Sequence, residues 1–154
     1  MKIYISKSNH ASIDDLLEIR TMVEKEGHET LEFTGGNYDP NLIKRADVII
    51  CIPPRSSIYD DHIRLGRGIG SEVVGGLERK QRTVVYEHSS KKYLAPVEIL
   101  ESENADWKFD FYRCTKWDNI KQSDLFDAVQ EDDSMPQDSP LNRVLPSNNE
   151  LDEI

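Results

Sequence analysis

The stretch DVIICIPPRSSIYDDHIRLGRGIGSEVVGGLERKQRTVVYEH, residues 47–88, decides how this chain is read. It opens on an unbroken run of large apolar residues, as expected for a central parallel strand buried on both faces. A Pro pair stops that run, and a polar loop follows. Gly66, Gly68 and Gly70 then lead to Glu72 at the apparent start of a helix over 70–80, and 82–88 reads as another strand. Strand, loop, helix and strand in that order predict a parallel pair joined by a right-handed crossover.

The same alternation extends outward. Residues 2–6 read as a first strand, and 12–27 as a helix with Ser12 as its cap, Asp15 three residues on and Gly27 as its stop. A second strand is expected at 30–33. Asp39 and Pro40 suit the cap and first position of a short helix over 39–46. Beyond residue 90 the signal weakens, to a strand at 107–114 and a last helix at 123–130. The expected fold is therefore a single-domain α/β structure over 1–130. Its open, mostly parallel sheet has about five strands flanked by helices, in a flavodoxin- or Rossmann-like manner. Residues 131–154 carry seven acidic residues against one Arg, interspersed with Ser, Pro and Asn, and read as a poorly ordered acidic tail.

Composition narrows the function. At 154 residues and a formal charge of −10, the chain suits one core and lacks the clustered cations of a nucleic-acid surface. No stretch approaches a membrane span, and residues 1–10 lack the apolar block of a signal peptide. Two cysteines, Cys51 and Cys114, suit a reducing cytosol. Neither they nor His10, His28, His62 and His88 show ligand spacing, so no metal or other cofactor is expected.

The glycines admit several readings. A dinucleotide fingerprint fails because Ser71 stands where its third glycine belongs, and because the loop separates the glycines from the strand. A phosphate-cradling P-loop fails for want of Gly-Lys-Ser/Thr. What is left is close approach of backbone to a ligand, with Glu72 presented to a pocket at the carboxyl end of the sheet. Against it stands the ordinary preference of acidic residues for a helix's first turn.

ADVIICI (46–52), followed by GRGIGSEVVGGLERKQRTVV (66–85), resembles the nucleoside 2-deoxyribosyltransferase superfamily, which includes the deoxynucleoside 5′-monophosphate N-glycosidases. The resemblance covers residues 1–90 and implies that Glu72 is the nucleophile at the sugar's anomeric carbon. Asp39, eight residues before Asp47, matches a family aspartate, and Tyr4 a tyrosine of the first strand. Val74 departs from the family's small residue. The long loop also departs, and its RSSIYDDHIRL (55–65) reads as a lid, with Asp60 or Asp61 in place of an acidic residue ahead of the glycines. The family's members pair around the site, which implies a homodimer.

Cleaving an N-glycosidic bond builds positive charge on the sugar and negative charge on the departing base. A carboxylate answers the first, and a general acid or hydrogen-bond donor the second. Glu72 as nucleophile, Asp39 as acid or base-binding partner and Tyr4 orienting Glu72 make a minimal set. For Asp39 the bland reading is a helix cap; for Tyr4 it is a strand aromatic. Ser6, Lys7 and Ser8 in the first strand–helix turn, with Arg64 or Arg67, Gly68 and Gly70, are candidates for binding substrate and phosphate. The expected ligand is a small nucleoside or nucleotide, cleaved by hydrolysis or base transfer. The alternatives are a non-catalytic nucleotide-binding module and an enzyme cleaving the nicotinamide–ribose bond of NAD.

Overall fold

The structure, a computed structural model, describes residues 1–32, 40–104 and 109–127. Its elements run β1 (Lys2–Lys7), α1 (Ile13–Lys25), β2 (Glu29–Glu32), α2 (Pro40–Lys44), β3 (Val48–Ile52), β4 (Ile63–Gly66), α3 (Arg67–Glu78), β5 (Arg82–Glu87), β6 (Lys92–Asn104) and β7 (Phe109–Ile120). All seven strands form one sheet in the order β2-β1-β3-β5-β6-β7-β4.

The α/β class and the single open sheet agree with the sequence reading, but the sheet is mixed. Only β2, β1, β3 and β5 run parallel. The pairs β5–β6, β6–β7 and β7–β4 are antiparallel, and β6–β7 is the longest ladder in the molecule. The expectation of about five mostly parallel strands is corrected on both counts. β6 escaped notice because Pro96 interrupts it and the register shifts on either side of Glu98, which breaks the alternation that marks a strand. β4 escaped because it has four residues inside a polar loop, although its burial alternates as a strand's should.

Each face of the sheet has its own core. Ile3 and Ile5 of β1, Ile50 and Ile52 of β3 and Tyr86 of β5 pack with Ile19 and Val23 of α1. On the opposite face Cys51, Val85, Leu94, Ile63, Leu65 and Cys114 pack with Val73 and Leu77 of α3, while Tyr4 and Ile49 meet Ile43 of α2. All five residues of β3 are buried, as its unbroken apolar run demands.

α1 starts after Ser12, which makes no side-chain cap bond, and it ends at Gly27, whose φ of 85° only glycine adopts without strain. Asp15 is not part of a capping box. Its buried carboxylate takes the Arg55 guanidinium at 3.1 and 2.8 Å and lies 2.9 Å from His88 Nδ1. Over its described part, the helix expected at 123–130 is a 3-10 turn at Gln122–Asp124. The acidic tail at 131–154 lies outside the described residues.

Candidate active site

The site is assembled by the two-residue period of a strand. Tyr4 and Ser6 alternate with Ile3 and Ile5 along β1, so they share the face that α3 covers, and both are buried, at 2% and 1% exposure. α3 crosses above them and lowers Glu72 onto the pair. The Tyr4 hydroxyl donates to Glu72 Oε2 at 2.8 Å, and the Ser6 hydroxyl donates to Oε1 at 2.6 Å. Two hydroxyl donors on two oxygens are the complement of an ionised carboxylate, which can only accept. Cys51, the register partner of Ser6 on β3, is fully buried beneath. Burial, with the Glu72 charge as a lesser cause, pushes its thiol far above the ordinary range, so Cys51 is an inert packing group.

Glu72 does not stand in the first turn of its helix. α3 begins at Arg67, with Gly66 as its cap, so Glu72 lies in the second turn and the dipole preference of a first-turn acid does not account for it. The glycines divide by role. A Cβ on Gly70 would meet the Tyr112 ring at 2.1 Å, and one on Gly76 would meet Ile49 and Thr83 at 2.5 and 2.6 Å. These two let α3 approach the sheet closely enough for Glu72 to reach β1. Gly68 has open space around its missing Cβ and lines the cleft. Gly70, expected to face substrate, is buried against Tyr112 instead, because a helical residue two positions from Gly68 points to another side.

Glu72 opens into a cleft of about 1330 Å³. Its wall includes Lys7 at the end of β1, Ser8 and His10 after it, and Pro53, Pro54 and Ser57 after β3, so it lies at the carboxyl ends of the parallel strands, where open α/β sheets hold ligands. Among the described residues, its lining holds Lys7, Arg20, Lys44, Arg64 and Arg79 against Glu32 and Glu72. Arg20 grips Glu32 through two bonds of 2.5 and 2.6 Å. The described lining of the cleft is thus net cationic on a chain of net charge −10.

Of the expected phosphate contacts, Lys7 and Ser8 line the cleft. The Ser8 hydroxyl accepts from the His10 N–H at 3.0 Å and keeps its own proton to donate. Ser6 is corrected: its single proton goes to Glu72, so it holds the carboxylate. Arg64 is on the cleft wall with its guanidinium 4.1 Å above the Phe111 ring, whereas Arg67 is exposed and absent from that wall. Asp61 is 84% exposed and holds His62 at 2.8 Å. Asp39 lies outside the described residues. The loop read as a lid ends in β4, an edge strand of the sheet, and begins with a 3-10 turn at Arg55–Ser57.

Sequence reasoning missed the second hydroxyl on Glu72. Its signal was there, since Ser6 follows Tyr4 by one strand period. Among the described residues, no group of three or more His, Cys, Asp or Glu could hold a metal ion, and no helix is long and apolar enough to cross a membrane. Comparison with protein-family models, curated proteins and solved structures finds no match.

Proposed function

We propose that this protein cleaves the N-glycosidic bond of a nucleoside 5′-monophosphate or nucleoside, with Glu72 as nucleophile. The observation that carries the reading is the Glu72 carboxylate, held at both oxygens by Tyr4 and Ser6 and open to a cationic cleft. A carboxylate kept only for stability has no reason to sit half-buried in a cleft with two hydroxyls trained on it.

In the first step a Glu72 oxygen bonds to the anomeric carbon as the carbon–nitrogen bond breaks. The bonding pair leaves with the base, which is protonated as it departs. Water, or the nitrogen of a second base, then displaces Glu72 from the glycosyl ester and restores the carboxylate. Tyr4 and Ser6 fix which lone pair faces the sugar. In this reading Asp39 supplies or shares the proton for the base, and the protein works as a homodimer in the cytosol.

Lys7 and Ser8 on the cleft wall favour a substrate carrying phosphate, since a strongly acidic protein must gather cations locally to hold a dianion. The test is incubation with nucleosides, their 5′-monophosphates and NAD, with free base followed by chromatography and a second base added to detect transfer. We expect base from the monophosphates first. Glu72→Ala should fold normally by circular dichroism and lose activity by several orders of magnitude. A variant keeping more than about a tenth of the activity would remove Glu72 as nucleophile. No base released from any substrate would favour a nucleotide-binding module instead.

A further inference from the structure

The loop between β3 and β4 is built as a rigid arm. At its root, the Arg55 guanidinium is clamped by two bonds onto Asp15 of α1, whose side chain is only 4% exposed. At its tip, the Tyr59 N–H donates to the His62 carbonyl at 2.9 Å, and Ile58 and Ile63 form an antiparallel bridge. Ile63 is fully buried, so the tip is anchored in the core. Four residues, Tyr59 to His62, are thereby closed into a tight turn with no slack for a hinge.

That turn holds one aromatic ring where the core cannot use it. Tyr59 lines the cleft and is 45% exposed, whereas Tyr4, also on the cleft wall, is buried and bonded to Glu72. The His62 imidazole stacks against Tyr59 with centroids 4.5 Å apart and planes 12° from parallel. His62 is itself fixed through Nδ1, 2.8 Å from Asp61 Oδ1; because an ionised carboxylate only accepts, Nδ1 carries the proton. One face of the tyrosine is therefore covered by an imidazole that Asp61 orients, on a turn closed by its own backbone bond. A ring fixed and still half exposed on a cleft wall has the geometry of a stacking surface for a second planar group.

We infer that Tyr59, backed by His62, is the platform on which the base of the ligand stacks, and that the arm determines which bases are accepted. This rests on the nucleotide reading above, and it makes the loop a fixed specificity element rather than a lid. Purines, with the larger π-face, should be held more tightly than pyrimidines.

The test uses the full chain carrying Glu72→Ala, so that nothing turns over, titrated with adenosine and uridine 5′-monophosphates, free adenine and ribose 5-phosphate. Calorimetry gives affinity, and NMR reports ring-current shifts of the base protons and of the Tyr59 and His62 rings. Tyr59→Leu, which keeps bulk without a π-face, should weaken nucleotide binding about five- to a hundredfold and abolish the ring-current shifts. Tyr59→Phe should stay within about twofold, and ribose 5-phosphate should bind equally to all three proteins. Unchanged nucleotide affinity in Tyr59→Leu, or an equal loss for ribose 5-phosphate, would overturn the platform while leaving the nucleotide reading intact. Adenine shifting Tyr59 and His62 when no monophosphate binds would keep the platform and remove the nucleotide reading. Binding of neither would remove both.

Discussion

Gly68 and Gly70 lie two residues apart in α3, and alanine at the two positions should move stability in opposite directions. At Gly70 the added methyl would sit 2.1 Å from Tyr112 Cδ2 and 2.8 Å from Cγ. Carbon atoms in contact prefer about 3.5–4 Å, so the ring must retreat by roughly 1.5 Å. It has little room to do so, because Tyr112 is paired with Leu65 across β7 and β4 and packs on the core under α3. Overpacking on this scale belongs at the upper end of the usual ~1–3 kcal/mol. Replacing a helical glycine returns about 1 kcal/mol through propensity. The net loss for Gly70→Ala is then about 2 kcal/mol. At Gly68 nothing lies within 4 Å of the new methyl, so only the propensity gain applies, and Gly68→Ala should be stabilising by ~0.5–1 kcal/mol. Equilibrium urea unfolding of the full chain, read by circular dichroism, measures both. Gly70→Ala in a Tyr112→Ala background should lose most of its cost, because the atom it strikes is gone. Equal stability of Gly70→Ala and Gly68→Ala, or a cost unchanged by Tyr112→Ala, would refute the close approach of α3 to β7.

Two further outcomes follow from the geometry. In the proposed cleavage, Ser6→Ala and Tyr4→Phe each remove one charge-assisted bond to Glu72, of the kind worth roughly 1.5–3 kcal/mol, so each should lower kcat about ten- to a hundredfold with little change in KM. The double variant should lose less than the product of the two, since both hydroxyls act on one carboxylate; unchanged kcat in both singles would show that the hydroxyls do not orient Glu72. Glu18, bonded to the Lys91 ammonium first and the Tyr86 hydroxyl second, is held below its ordinary 4.5. A carboxyl whose folded value is depressed contributes stability that is complete above 4.5 and is lost as pH falls through the lower folded value. Glu18→Gln should therefore flatten the fall in melting temperature on acidification below pH 4.5 and leave the pair's small surface contribution as the only loss at neutral pH. A slope identical to wild type would dismiss the pair.

The parallel half of the molecule was legible in the chain because its signals are local. A short β-branched apolar run at Val48–Ile52, stopped by a Pro pair, reads as a strand covered on both faces, and Gly27 marks the end of a helix through its own φ. Glu72, Lys7 and Ser8 could be picked out as chemistry-bearing residues, since polar groups beside glycines and strand ends are where open sheets place their ligands; Tyr4, in the middle of β1, was marked only by the family resemblance. Of the antiparallel half only β7 was legible, as the strand expected at 107–114, and it runs from Phe109 on to Ile120. β6 carries a proline and a bulge that erase its period, and β4 is too short to show one.

The roles within the site were decided by tertiary structure alone. Ser6 looks like a loop donor in the sequence and becomes a partner of Glu72 only because α3 settles over β1. Gly70 looks like its neighbour Gly68, yet the β7 ring beneath it makes one a packing glycine and leaves the other open to the cleft. Asp15 looks like the capping-box partner of Ser12 and instead clamps Arg55, 40 residues away. In each case the deciding partner is distant in sequence, and a residue's own neighbours carry no record of what the fold brings against it.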